Sequence, residues 1–233
     1  MTDKRALPQK SDFAHVTEWV FDLDNTLYPH HVDLFAQIDR NMTAFVAELL
    51  SLEPEEARKL QKQYYYDHGT TLRGLMHHHG IEPAAFLEAA HRIDYSGLAV
   101  DEGLSEAIKA LPGRKFILTN GTVKHAEEAA RALGILHHFE DIFDIVAADF
   151  VPKPAGSTYD KFASLHRVET RKAAMFEDLP RNLEIPRALG MKTVLIVPQS
   201  KEHYLERWEI PDENDPTIDH ITDNLADFLR AVI

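Results

Sequence analysis

The chain predicts an α/β protein: a Rossmann-like parallel sheet with helices on both faces, plus an inserted all-helical cap domain. Three observations predict it. Short, wholly apolar runs such as Trp19-Val20-Phe21 and Phe116-Ile117-Leu118 alternate with helical segments, as strands buried on both faces do. Residues 28–98 carry only helical periodicity and offer no strand candidate. Each of the first strand runs leads into polar or charged residues, which an open parallel sheet gathers along one edge.

Composition allows this fold and excludes several functions. The chain has 233 residues, 44% of them apolar and 27% charged, enough for a core of ordinary size. A net charge of −13 argues against a nucleic acid polymer or an anionic membrane as partner. There is no cysteine, so disulfides, thiol chemistry and cysteine-type zinc sites are excluded. Met1 to Gln9 are polar with no apolar stretch behind them, so no signal peptide is expected. No apolar run approaches the ~20 residues of a membrane helix. The expectation is a cytoplasmic monomer or homodimer that meets a small molecule.

The elements follow in order. Residues 1–14 read as a loose leader, and Glu18–Asp22 as the first strand. Val32, Phe35, Ile38, Met42, Phe45, Val46 and Leu49 recur at helical spacing. Pro54 opens a second helix, with Glu55 and Glu56 at the positive end of its dipole. Gly69 stops it near Asp67. A third helix from Thr70 ends at Gly80, and Pro83 starts a fourth through Ala90. After Asp101 the pattern alternates: helix 102–111, strand 115–118, helix 122–133, strand 144–148 and helix 156–166. Strand 173–176, a helix to Leu189, strand 193–197 and a last helix at 223–232, capped by Thr222 or Asp223, complete it. The domain reading is a core of 1–27 and 99–233 with a cap of 28–98. The acidic stretch 209–223 reads as a solvated loop.

The chemistry collects where strands end. The first ends in Asp22 and Asp24, and the second in Thr119-Asn120-Gly121. The third leads to Lys153 between two prolines, and the fourth ends in Glu177-Asp178. Converged on one edge, these form an acidic site suited to Mg²⁺ beside a phosphate site. Two aspartates two residues apart repel each other, and a divalent cation offsets that repulsion.

In these motifs the chain resembles the haloacid dehalogenase-like superfamily of phosphotransferases. Its four motifs appear in order as Asp22-Leu23-Asp24-Asn25-Thr26, Thr119, Lys153 and Glu177-Asp178 with Asn182. The resemblance implies Asp22 as nucleophile, through an aspartyl-phosphate. It implies Asp24 as general acid and then base, with its backbone carbonyl on Mg²⁺. Asp22 and Asp178 are the expected side-chain ligands, with Glu177 as a further or water-mediated one. Thr119, Asn120 and the neighbouring N–H groups would hold phosphate, and Lys153 would neutralise the transferring group. The related dehalogenases lack a carboxylate at the position of Asp24 and do not need Mg²⁺, so Asp24 argues for a phosphate ester.

Three stretches are most similar to the pyrimidine 5′-nucleotidases: Val20–Pro29, with Asn25 where many relatives have Gly; Gly69–Leu75; and Phe176–Asn182. That likeness implies hydrolysis of UMP or CMP to nucleoside and phosphate. It makes Arg73, Thr71 and His31 candidates for ribose or base contacts. The alternatives are a phosphatase or phosphomutase acting on phosphoglycolate or a sugar phosphate, and a non-catalytic regulator that binds a phosphate ligand. His77-His78-His79 cannot converge on one ion from consecutive helical positions and read as a solvated helix end. Tyr64-Tyr65-Tyr66 read as cap packing, with at most one ring reaching the cleft.

Overall fold

The computed structural model describes residues 4–200, 210, 212 and 214–233. Six parallel strands form one sheet: β1 (Glu18–Phe21), β2 (Arg114–Leu118), β3 (Asp141–Phe143), β4 (Ala173–Glu177), β5 (Lys192–Ile196) and β6 (His220–Thr222). Their order is β3-β2-β1-β4-β5-β6, so β1 lies inside, hydrogen-bonded to β2 and β4.

The period of two along each strand divides the core between two faces. Trp19, Phe21, Ile117, Phe176 and Val194 point to one face. There they meet α6 (Glu102–Ala110), α7 (Val123–Ala132) and α10 (Leu225–Ala231) through Leu104, Ala126 and Leu229. Val20, Phe116, Met175 and Leu195 point to the other, against Tyr159 and Phe162 of α8 (Gly156–His166). Phe21 and Phe176 stack across β1 and β4, ring centroids 4.6 Å apart. Such a pair adds about 1 kcal/mol beyond its buried area.

Between β1 and β2 the chain makes four helices: α2 (Leu34–Leu50), α3 (Pro54–His68), α4 (Thr71–His79) and α5 (Pro83–Ala90). They carry a separate core of Ile38, Val46, Ala57, Leu75 and Phe86. The starts follow from local sequence. Pro54 and Pro83 sit in first turns, where no N–H is needed, and the Thr70 hydroxyl accepts the Arg73 N–H. Glycines at positive φ, Gly69 and Gly80, end α3 and α4.

Several expectations are corrected. The strand expected at 144–148 is the earlier β3, Asp141–Phe143. The Asp144 carboxylate accepts the N–H groups of Val123 and Ala147 at 3.0 and 2.8 Å, turning the chain before the apolar run that follows. The leader is tied down from residue 4. Ile221 N–H donates to the Lys4 carbonyl, and α1 (Lys10–Phe13) places Phe13 against Trp19 and Phe228. The segment after β4 is a 3-10 turn over Pro180–Leu183 and then α9 (Glu184–Ala188). The last helix is capped by Asn224, whose side chain accepts the Asp227 N–H, and not by Thr222 or Asp223. Strand β6 is unforeseen. Much of the acidic stretch 209–223 lies outside the described residues, but Asp219 in it accepts from Arg187 and from Thr193 N–H.

Candidate active site

The carboxyl ends of β1, β2 and β4 meet at one edge, where the strand order reverses about β1. Asp22 follows β1 directly, its N–H still bonded to the Phe176 carbonyl at 2.9 Å. Lys153 reaches the same point from the loop after β3 and is 1% exposed. Its Nζ donates to Asp22 Oδ1 at 2.6 Å, Glu177 Oε1 at 2.6 Å and the Leu118 carbonyl at 2.9 Å. The Asn120 side chain fixes that loop. Its Oδ1 accepts the Lys153 N–H at 2.8 Å and its Nδ2 donates to the Lys153 carbonyl at 3.2 Å.

Both Glu177 oxygens are engaged. Oε1 accepts from Asn182 Nδ2 at 2.7 Å as well as from Lys153, and Oε2 accepts the Leu179 N–H at 2.9 Å. Asp178 lies nearer the opening, with Asn25 Nδ2 at 3.4 Å and His30 Nε2 at 3.9 Å. Asn25 adopts φ of 58°, a left-handed conformation that Asn tolerates better than most residues.

Negative charge is in excess here. Burial pushes the Asp22 carboxyl up, and Glu177 and Asp24 add to that push against the pull of Lys153. Burial, then Glu177 and Asp22, raise Asp178 well above the carboxylate range. The two carboxylates outweigh burial at Lys153 and hold its ammonium protonated. Oxygens of Asp22, Glu177 and Asp178 lie within 4.8 Å of one another. An all-oxygen, over-acidic cluster of this kind fits a hard divalent cation.

Asp24 differs. Burial alone would raise it, but His125 and Tyr28 outweigh burial and bring it below the usual value. The Tyr28 hydroxyl donates to Asp24 Oδ1, and His125 Nε2 lies 2.8 Å from the same oxygen. His125 is fully buried; its Nδ1 meets the Tyr95 hydroxyl at 2.9 Å and its ring stacks on His91 at 4.7 Å.

A cavity of about 140 Å³ opens from this edge into the helical insertion. Asp22, Asp24, Asn120, Lys153, Glu177 and Asp178 line its floor. Thr119 is buried behind them, its hydroxyl accepting the Gly121 N–H at 2.9 Å. The substrate candidates divide. Thr71 lines the cavity, with its hydroxyl donating to the Gln61 carbonyl at 3.2 Å. Arg73 and His31 are exposed and are not among the lining residues; a surface helix position and a turn carry them outward. Of the three tyrosines, Tyr65 reaches the cavity beneath the Arg181 guanidinium, Tyr64 packs in the insertion, and Tyr66 is exposed. The three histidines do not converge; His78 stacks on Tyr64 and His79 Nε2 meets the Tyr64 hydroxyl at 2.7 Å.

Sequence reasoning missed His125, Tyr28 and His91. One signal was present: a histidine one turn into the helix that starts where β2 ends. It missed Asp39, Gln61 and Lys62 on the cavity wall as well.

Comparison with known proteins agrees with this architecture. The chain is 24% identical over 231 residues to phosphate metabolism protein 8 of Saccharomyces cerevisiae, covering 91% of this chain and 69% of that protein. Its fold is similar to L-2-haloacid dehalogenase from Xanthobacter autotrophicus with chloropropionic acid covalently bound, at 14% identity and TM-score 0.58, covering 93% of this chain and 98% of that one. YfnB from Bacillus subtilis, bound to magnesium, matches with the same identity, TM-score and coverage. The haloacid dehalogenase-like hydrolase family matches residues 20–190, most of the length, and the chain belongs to that family.

Proposed function

We propose that this hydrolase is a Mg²⁺-dependent phosphatase of small phosphate monoesters, with a pyrimidine nucleoside 5′-monophosphate as substrate. The observation that carries the reading is Asp24. A carboxylate two residues beyond the nucleophile candidate faces the same cavity and is fixed by Tyr28 and His125. Phosphate transfer needs such a group to handle a proton. The yeast relative's name, which refers to phosphate metabolism, supports the same chemistry.

In the proposed reaction an Asp22 oxygen attacks phosphorus in line. The bond from phosphorus to the ester oxygen breaks as the Asp22–phosphorus bond forms. The departing oxygen takes a proton from Asp24, drawn from the hydrogen-bonded pair that Asp24 makes with His125. Asp24 then accepts a proton from water as its oxygen attacks phosphorus, releasing phosphate and restoring the Asp22 carboxylate. Lys153 neutralises charge on Asp22 and on the transferring group throughout, and Glu177 holds Lys153 in place. Asp22, Asp178 and the Asp24 backbone carbonyl would hold Mg²⁺, with Glu177 behind them because both its oxygens are taken. The ion supplies charge neutralisation to the phosphoryl oxygens. Magnesium bound to the Bacillus subtilis structure supports that assignment. Thr119 and the N–H groups at Asn120 and Gly121 complete the phosphate pocket, and residues 28–98 act as a cap that excludes water.

The test is phosphate release from nucleoside monophosphates, sugar phosphates and phosphoglycolate, with Mg²⁺ and with chelator. UMP or CMP should be the best substrate, and chelator or Asp22→Asn should abolish release. Release from phosphoglycolate alone refutes the nucleotide reading. No Mg²⁺-dependent release from any ester refutes the phosphatase reading.

A further inference from the structure

The cavity has a second polar patch. Its floor is the acidic edge of the sheet and its walls are apolar, through Phe35, Ile38, Met42 and Phe86. On the side formed by the helical insertion lie Asp39, Gln61 and Lys62 as well. Asp39 on α2 is 6% exposed. Its Oδ1 accepts from Gln61 Nε2 at 2.7 Å and from Lys62 Nζ at 2.9 Å, and its Oδ2 accepts from Arg58 at 2.6 Å. Thr43 donates to Gln61 Oε1. Positions 58, 61, 62 and 65 fall on one face of α3, the face turned to α2 and the cavity.

A network of this kind is a poor choice for holding two helices together. Burying a carboxylate with its cations costs desolvation that an apolar pair avoids. The insertion already has an apolar core in Val46, Ala57 and Leu75. The polar network instead faces the cavity that leads to Asp22. There it offers fixed donors and acceptors beside apolar walls, the composition of a selective small-molecule site.

We propose that Asp39, Gln61 and Lys62 form the subsite that reads the end of the substrate opposite its phosphate. The ligand class is a flat, uncharged ring with both a donor and an acceptor on its edge, a nucleobase in the reading above, on which this inference rests. The ring faces pack on the apolar walls. Lys62 donates to a ring carbonyl, and Asp39 accepts from a ring N–H or amino group. An anionic head is disfavoured, because the Asp39 carboxylate stands at the contact point and both cations already serve it. Phosphoglycolate has no ring to pack on the apolar walls.

Kinetics of the full chain with Mg²⁺ test this on UMP and on ribose 5-phosphate, which keeps the phosphate and sugar but lacks the base. Lys62→Met and Gln61→Leu should each lower the ratio of kcat/KM for UMP to that for ribose 5-phosphate about tenfold or more, chiefly through KM. Asp39→Asn should lower it further. A ratio is insensitive to the fraction of protein folded, so misfolding cannot imitate the result. An unchanged ratio, including an equal fall on both substrates, overturns the assignment to the base. If the wild-type protein prefers another phosphate ester, the nucleotide reading fails separately. The same variants are then compared on that ester and on p-nitrophenyl phosphate. A matching fall in the ratio keeps these three residues as the recognition subsite, and no fall overturns it.

Discussion

Lys153 shows how much one side chain carries here. It is buried between Asp22 and Glu177, and removing it leaves two carboxylates facing each other without a cation. Lys153→Ala should lower kcat on the order of 10²-fold or more, measured as phosphate release under saturating Mg²⁺. It should lower stability as well, by about 3–5 kcal/mol in a denaturant titration, because a buried charge loses its partner. His125 acts at one remove, through Asp24. His125→Ala should reduce kcat more than it changes KM, and His125→Asn, which can still donate to Asp24, should recover part of the loss. The motif residues were legible because they keep a fixed order and all but Lys153 sit at or just after a strand end. His125 and Tyr28 were not. The approach of His125 to Asp24 spans 101 residues and exists only after β2 pairs with β1. His31 and Arg73 were candidates only through the likeness to the nucleotidases, and local geometry turns both to solvent.

Helices and strands were legible in proportion to their local signals. α2 to α5 have long periodicity and proline or glycine punctuation, so their sequence boundaries nearly match. β3 and β6, three residues each, carry too little pattern to separate from turns. The run at 144–148 misled because buried apolar residues also line a tight turn held by an aspartate. Packing between α3 and α4 gives a prediction at this scale. A Cβ on Gly74 would stand 2.4 Å from Cβ and Cγ of Tyr64, atoms too close to the backbone to swing away. Gly74→Ala gains up to ~1 kcal/mol of helix propensity but meets this overlap. A net loss of about 1–3 kcal/mol is expected, read as a lower thermal midpoint. A variant as stable as wild type would show that α3 and α4 can separate without cost.

Across the whole molecule, three histidines should draw on stability as the pH falls. Burial and the neighbouring His125 push His91 down to about 4, and burial lowers His166 and His220 too. These rings are neutral in the fold, while the unfolded chain protonates them below about 6.5. At these three sites the unfolded state binds more protons, so their share of stability is lost as pH falls from about 6.5 towards 4, while the raised carboxyls of Asp22 and Asp178 act in the opposite sense. His91 alone should account for about 2 kcal/mol between pH 7.5 and 5. Thermal melts of wild type and His91→Leu at those two pH values measure its share. An equal change in both proteins would remove His91 from the account. Among the described residues no helix is long and apolar enough to cross a membrane.

The loop that carries Lys153 also supports the insertion. Phe150 packs against the core of α2–α5, and Pro152 lies so close to Gly69 that a Cβ there would stand 3.0 Å from its ring. The seat of the insertion and the ammonium of the site are thus neighbours on one short piece of backbone. A tilt of the helices that lifts Gly69 from Pro152 pulls on the same peptide units that Asn120 clamps. The position of the insertion and the position of the lysine are therefore joined through that backbone.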